Sequence, residues 1–359
     1  MTVSPDHSTG DGMPHSTSRK IMRWFGITAG FLLLAVLSLA LWNLAVVKWQ
    51  HAHNLVPGNF YSVNGHQMHI YCSGAGSLTL VIEAGLGSDW LGWQGIQPKL
   101  AQITRVCTYD RSGLGWSEPR PGKHDAEAIV RQLHTLLNEA GVARPIVFTG
   151  HSAGGLYARE YAREYPAEVA GVVLVDSASP QQMDELPGFR ASYEEDKRNA
   201  MSDLHWEELR VWSGWDRLTG HCRARVPKDV AFIAGQYNAE QCRPDYEGGG
   251  LGEFLDLDDA LKQAARLTSF GEIPLLILTR DTRKIQSGMS HDAIAGIAVW
   301  EHEQEALKSL SPQCWRVIAS GAGHQIYHDR PDVVVVEISR LIEYLRGGQV
   351  PPFGSTTTE

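Results

Sequence analysis

Cysteine is scarce in this chain and follows no metal or redox pattern. Cys72, Cys107, Cys222, Cys242 and Cys314 form no CxxC pair and show no zinc-knuckle spacing, which excludes the common dithiol and structural-zinc motifs. Basic stretches with interleaved aromatics are also missing, and the net charge is −9, so no nucleic-acid partner is expected. No repeat of solenoid period is present. With 43% apolar and 20% charged residues, the chain is neither disordered nor collagen-like. Its 359 residues suit one large α/β domain carrying an insertion.

The most informative absence is of charge. From Phe25 to Val47 there is none, and only Thr28, Ser38 and Asn43 interrupt the apolar run. A helix rising ~1.5 Å per residue over that stretch covers a hydrocarbon core of ~30 Å. Trp24, Trp42 and Trp49 stand where interfacial aromatics are usual. Arg19, Lys20 and Arg23 precede the run, and only Lys48 follows it closely. The positive-inside rule then leaves residues 1–24 as a disordered cytoplasmic tail, makes 25–47 a signal anchor in the lipid bilayer, and carries the remainder to the periplasmic or extracellular side. A signal peptide cleaved after Ser38-Leu39-Ala40 is the rival reading, but the apolar run continues for seven residues past Ala40. A buried soluble helix rarely lacks charge for so long. Outside the cytoplasm two disulfides and one leftover thiol are permitted, and Cys222 with Cys242, in one segment, is the easier pair to propose. Five reduced thiols remain the alternative.

From residue 59 onward, short β-branched runs alternate with helical patterns, as in a parallel-sheet α/β domain. "FYSVNG" and "HQMHIYC" read as a hairpin turning at Asn64-Gly65. "LTLVIEAG", "TRVCTYD", "PIVFTG", "GVVLV", "IPLLILT" and "CWRVIAS" read as further strands. Helices are expected near 93–102, 125–140, 154–165, 299–310 and 331–346, the second marked by Ile129, Leu133, Leu136 and Leu137 on one face. Residues 178–270 break the alternation with charges, three tryptophans and "EGGGLGEF", and read as a helical cap inserted in a core of 59–177 and 271–346. Residues 347–359 read as a disordered tail.

The chemistry gathers on "PIVFTGHSAGGLYAREYA". Gly150-His151-Ser152-Ala153-Gly154 is a G-x-S-x-G pattern, weak by itself but strengthened by a strand that ends before the serine and a helix that begins after it. Such a turn strains the serine backbone and exposes its hydroxyl at a helix N-terminus, where developing negative charge is favoured. The plainer reading, a helix-capping serine, needs no flanking glycines. A serine nucleophile needs a base, and the base an orienting acid, in the order Ser, acid, His. His324, directly after a strand and a Gly-rich turn in "VIASGAGHQIYHDRPDVV", is the candidate base among His291, His302, His324 and His328. For the acid, Asp281 after "PLLILTR" is preferred, Asp176 after "GVVLV" is the alternative, and Asp292 ranks third. The oxyanion donors are expected at the backbone N–H groups of Leu86 and Ala153. No metal or organic cofactor is implied.

Together "VIEAGLGSDW", "YDRSGLGWSE", "FTGHSAGGLYAREYA", "GVVLVDSASP", "PLLILTRD" and "SGAGHQIYHDRPDVV" resemble the α/β-hydrolase fold superfamily, across residues 59–346. The resemblance implies an eight-stranded, mostly parallel sheet with helices on both faces and a cap between its sixth and seventh strands. It places the second and fourth strands side by side, which makes a Cys72–Cys107 bridge plausible. It also gives the Asp110–Gly115 turn a structural role in the pocket wall. Many relatives carry His-Gly where this chain has Glu83-Ala84-Gly85; the backbone donor survives, and Glu83 becomes a possible buried carboxylate without a nameable partner. A serine nucleophile argues against the dehalogenase and epoxide-hydrolase branches. The expected activity is hydrolysis of a carboxylic ester, or an amide or lactone, in a small-molecule ester-like substrate, through an acyl-enzyme on Ser152. An acyltransferase using the same residues, or a non-catalytic binding protein on this fold, are the alternatives.

Overall fold

The computed structural model describes residues 15–223, 226, 228–240, 242–243, 247–285, 291–349 and 354–357. The described residues begin with helix α1, His15–His53, so residues 15–24 are helical where a disordered tail was expected. Within it, the segment Lys20–His53 is long and apolar enough to cross a membrane, and almost none of it is buried, unlike the core helix of a soluble protein.

Nine strands form one sheet: β1 Asn59–Val63, β2 His66–Ser73, β3 Thr79–Glu83, β4 Arg105–Tyr109, β5 Ile146–His151, β6 Val169–Val175, β7 Leu275–Arg280, β8 Cys314–Ala319 and β9 Gly354–Thr357. Their spatial order is β1-β2-β4-β3-β5-β6-β7-β8-β9. β1 and β2 pair as an antiparallel hairpin, β2 runs antiparallel to β4, and all other pairs are parallel. The first eight strands make the expected eight-stranded, mostly parallel sheet. The ninth comes from the C-terminal tail, where residues 354–357 pair with β8 instead of lying unstructured.

The central strands read as unbroken apolar runs because both faces are covered. On one face Val81, Phe148, Val172 and Ile277 pack with helix α2, Ala126–Glu139, and helix α3, Gly154–Glu164. On the other, Leu80, Val147, Val173 and Leu276 pack against Trp93, Ile96 and Leu100 and against a later helix at Pro331–Leu345. α2 starts where Asp125 accepts a hydrogen bond from the Ala128 N–H, and it buries the Ile129, Leu133, Leu136 and Leu137 face anticipated from spacing.

Between β6 and β7 the insertion folds as helices, including α4 Phe189–Ser213, α5 Trp215–Thr219, α6 Ala234–Glu240, α7 Glu247–Leu255 and α8 Leu257–Ala264. After β7, helix α9, His291–Ala306, begins earlier than the apolar pattern suggested, and α10 is Pro331–Leu345.

Cys72 and Cys107 face each other in the β2–β4 register and are joined by a disulfide, as are Cys222 and Cys242 within the cap. Cys314 is a buried free thiol, and burial pushes it up to about 12. Alkylation of the unfolded, unreduced chain therefore modifies one cysteine, and alkylation after reduction modifies five, as read by intact mass. Three or more thiols without reductant would contradict this pairing.

Candidate active site

The turn after β5 is set by glycine. Ser152 has φ +53°, a left-handed conformation costly for a residue with a β-carbon. It is held there by its own backbone: the Ser152 N–H donates to Val175 O (3.2 Å), and Ser152 O accepts from Gly155 N (3.0 Å) and Ala178 N (2.9 Å). A β-carbon on Gly150 would strike the Gly154 carbonyl, and one on Gly154 would lie 2.5 Å from Glu83 O. One on Gly155 would enter the Ser177 side chain. Helix, strand and the loop after β3 approach this closely only because these residues lack side chains. Ser152 does not cap α3; the cap position is Ala153, and no side chain bonds there.

Ser152 and His324 line one cleft of about 290 Å3, together with Leu86, Ala153, Ala178, Gln182, Leu186, Phe189, Leu257, Arg280 and Trp300. A larger cavity of about 390 Å3, between α3 and α9, holds Arg159, His302 and Glu303 but neither Ser152 nor His324. His302, a weaker candidate base, lies in that larger cavity. Leu86 and Ala153 flank the cleft, and neither backbone N–H has an acceptor among the described residues.

The acid beside His324 is Asp176, not the preferred Asp281. His324 Nδ1 stands 2.6 Å from Asp176 Oδ2. A carboxylate only accepts, so Nδ1 carries the proton and Nε2 is left as the basic nitrogen. Asp176 is fully buried and also accepts from Trp300 Nε1 (3.2 Å) and from the Arg280 N–H (3.2 Å). The Arg280 guanidinium lies 4.5 Å from the Trp300 ring centre and 3.5 Å from Asp176 Oδ2. Asp281 points elsewhere. It accepts from Arg283 Nε (2.8 Å) and from Gly321 N (2.9 Å), and the Arg283 guanidinium holds its carboxyl down at about 2. Its N–H donates to Ala322 O, so Asp281 pins the turn that carries His324. The physical reason is strand order: β6 lies between β5 and β7, so the end of β6 is nearer the serine turn. The side chains of His291 and Asp292 lie outside the described residues.

His151, Trp300 and Arg280 were not singled out from sequence. His151 Nε2 donates to His324 O (3.0 Å), tying the serine turn to the histidine loop. Only the G-x-S-x-G pattern hinted at it, since the variable second position faces the loop. Glu83 acquires the partners that sequence could not supply. Arg111 Nη1 donates to it at 2.6 Å, and Tyr109 OH also donates. Burial raises the Glu83 carboxyl, while Arg111 and Tyr109 pull the other way. Arg111 further donates to Ala84 O (2.9 Å), Gly85 O (2.7 Å) and both oxygens of Glu253 on α7. Glu253 in turn accepts from Gly87 N (2.8 Å). Asp110, buried, accepts from His69 Nδ1, Trp90 N and Trp116 N and so holds its own turn, but none of residues 110–115 lines the cleft, where a place in the pocket wall was expected. Among the described residues no group of three or more His, Cys, Asp or Glu could hold a metal ion.

Burial, with the His324 ring a smaller contributor, pushes the His151 imidazole down to about 4. Its folded value lies below its unfolded one, so the unfolded chain binds the extra proton between these values. Stability is then complete above pH ~6.5 and falls as pH drops toward ~4, by about 3 kcal/mol over that window. His151→Gln should flatten this part of the stability-versus-pH curve, measured by urea unfolding. An unchanged slope would show that His151 is protonated in the fold.

A family model described as the alpha/beta hydrolase fold matches residues 79–331. The uncharacterized protein YqjL of Bacillus subtilis is 24% identical over 279 residues, covering 77% of this chain and 89% of that protein. Among solved structures, a thermophilic esterase from Thermogutta terrifontis has a TM-score of 0.57 at 21% identity, covering 81% of this chain and 98% of that one. A putative lipase from Acinetobacter baumannii has a TM-score of 0.58 at 18% identity, covering 86% and 97%.

Proposed function

Because the chain belongs to the α/β-hydrolase family, we propose that it is a serine hydrolase that cleaves a carboxylic ester, or a related amide or lactone, through an acyl-enzyme on Ser152. One observation carries this reading: a serine strained at φ +53° shares its cleft with a histidine whose Nδ1 is bonded to a buried aspartate.

In this reading His324 Nε2 takes the Ser152 proton as Oγ attacks the substrate carbonyl, and it returns that proton to the leaving group, an alcohol oxygen for an ester or an amine nitrogen for an amide. Asp176 fixes the imidazole tautomer and offsets the charge that forms on the ring. The Leu86 and Ala153 N–H groups hold the oxyanion, with the α3 N-terminus adding favourable potential. Water then attacks the acyl carbonyl, activated by the same His324, and Ser152 is restored. Trp300 and the Arg280 backbone act as positioning groups by holding the second Asp176 oxygen.

The same reading makes α1 a membrane anchor with its N-terminus cytoplasmic and the hydrolase domain on the other side. The two disulfides support an oxidising location for that domain.

A fluorophosphonate should add covalently to Ser152 in the folded protein and not to Ser152→Ala; absence of any adduct ends the hydrolase reading. With p-nitrophenyl esters, Asp176→Asn should lower kcat by roughly 10^4-fold, as a wrong tautomer does elsewhere. Asp281→Asn should leave kcat within about tenfold, its loss being one of loop order. The reverse ranking would restore Asp281 as the acid. Partition of the acyl group between water and an added alcohol distinguishes hydrolysis from transfer.

A further inference from the structure

The cap and α1 meet at a defined height along the apolar run. Gly214, at φ +78° between α4 and α5, lies so close that a β-carbon there would be 2.8 Å from Leu39 O. Asn43, one of three polar interruptions in the run, is fully buried at this contact. Its Nδ2 donates to Val211 O (2.9 Å), and its Oδ1 accepts from Arg217 Nε (2.6 Å). Residues 20–38 of α1 are exposed on every side, and partial cover begins at Leu39.

These positions conflict with a cap that stays wholly in water. The bare, charge-free part of α1, Phe25 to Ser38, has 14 residues and reaches only about 21 Å. Crossing ~30 Å of hydrocarbon takes about 20 residues, which extends the span to Leu44. Tilting the helix shortens its reach and widens the gap. The contact at Leu39 and Asn43 then lies below the membrane surface, and the cap helices beside it must lie at that depth too. Their surface suits this: Trp206, Leu209 and Trp212 recur every third residue along α4, Trp215 and Leu218 follow on α5, and each is more than half exposed. Tryptophan, with an apolar body and one N–H, is favoured at the lipid–water boundary. Of the neighbouring charges, Arg210 pairs with Asp216 and Arg217 with Asn43, Glu208 is exposed on the same helix, and the long arginine stems can reach upward to headgroups.

We propose that α4 and α5 are embedded in the leaflet nearest the hydrolase domain, with Trp206, Leu209, Trp212, Trp215 and Leu218 as the inserted face. The occupant of this face is the lipid bilayer that α1 crosses, so the inference rests on α1 being a membrane span. The cap is thereby a second, monotopic membrane contact, and the domain is held at one orientation instead of swinging on a single tether.

The test uses the full chain reconstituted in phosphatidylcholine–phosphatidylglycerol vesicles, with one nitroxide label at a time. Labels are placed through Leu209→Cys and Leu218→Cys on the cap, Leu33→Cys within the span, and Glu139→Cys. Glu139 is exposed at the end of α2, next to the start of β5 and thus at the sheet edge opposite Ser152. Collision of each label with oxygen and with a water-soluble nickel chelate reports its surroundings. Labels at 209 and 218 should favour oxygen over nickel, as the label at 33 does, while the label at 139 shows the reverse. If 209 and 218 behave like 139 while 33 remains in lipid, the embedding is wrong and the anchor stands. If 33 is also open to nickel, the anchor itself fails and the embedding falls with it.

Discussion

The site depends on a steric constraint at the end of β5. A helix, a strand and the loop after β3 converge on one left-handed serine, and three glycines leave the space for them. The constraint reaches outward through hydrogen bonds made by the same backbone. Ser152 O fixes the start of the segment after β6, where Asp176 has just turned out of the strand at its own positive φ of 41°. The His151 ring, in the intervening position, holds the loop from β8 by its carbonyl. Serine, aspartate and histidine arrive from three strand ends, and each is referenced to the same turn. That turn is costly, and the fully buried parallel strands around it supply the rigidity that keeps it.

A second constraint braces the other wall of the cleft. Arg111 is nearly fully buried and meets two carboxylates, Glu83 from the core and Glu253 from the cap. An isolated guanidinium there would be strongly unfavourable; with both carboxylates and the carbonyls of Ala84, Gly85 and Ser88 around it, its donors are occupied. The arrangement gives the buried Glu83 carboxylate its partner. It also means the cap is not a loose lid: the loop bearing Leu86 and helix α7 share one ionic cluster, so moving either disturbs the other.

The N-terminal helix and the cap are likewise one assembly. Asn43 looks like a blemish in an apolar run when read along the chain. In three dimensions it is the polar group that joins α1 to α4 and α5, and in lipid such a side chain needs just this kind of internal partner.

Much of this was legible in sequence because it is written in short-range pattern. Strands buried on both faces appear as apolar runs, α2 shows its buried face, and the serine turn needs glycine at positions only a few residues apart. The serine turn and the Gly-rich loop carrying His324, which the structure brings to one cleft, were readable for that reason, and so was the long charge-free helix. What tertiary structure decided were the long-range pairings. Two aspartates end neighbouring strands with equal local credentials, and only the lateral order of β5, β6 and β7 separates Asp176, which reaches the imidazole, from Asp281, which pins its loop. Glu83 found Arg111, and Asn43 found Val211 and Arg217, across 28 and well over 160 positions of chain respectively. Periodicity says which face a residue occupies; it carries no information about which distant face will be packed against it.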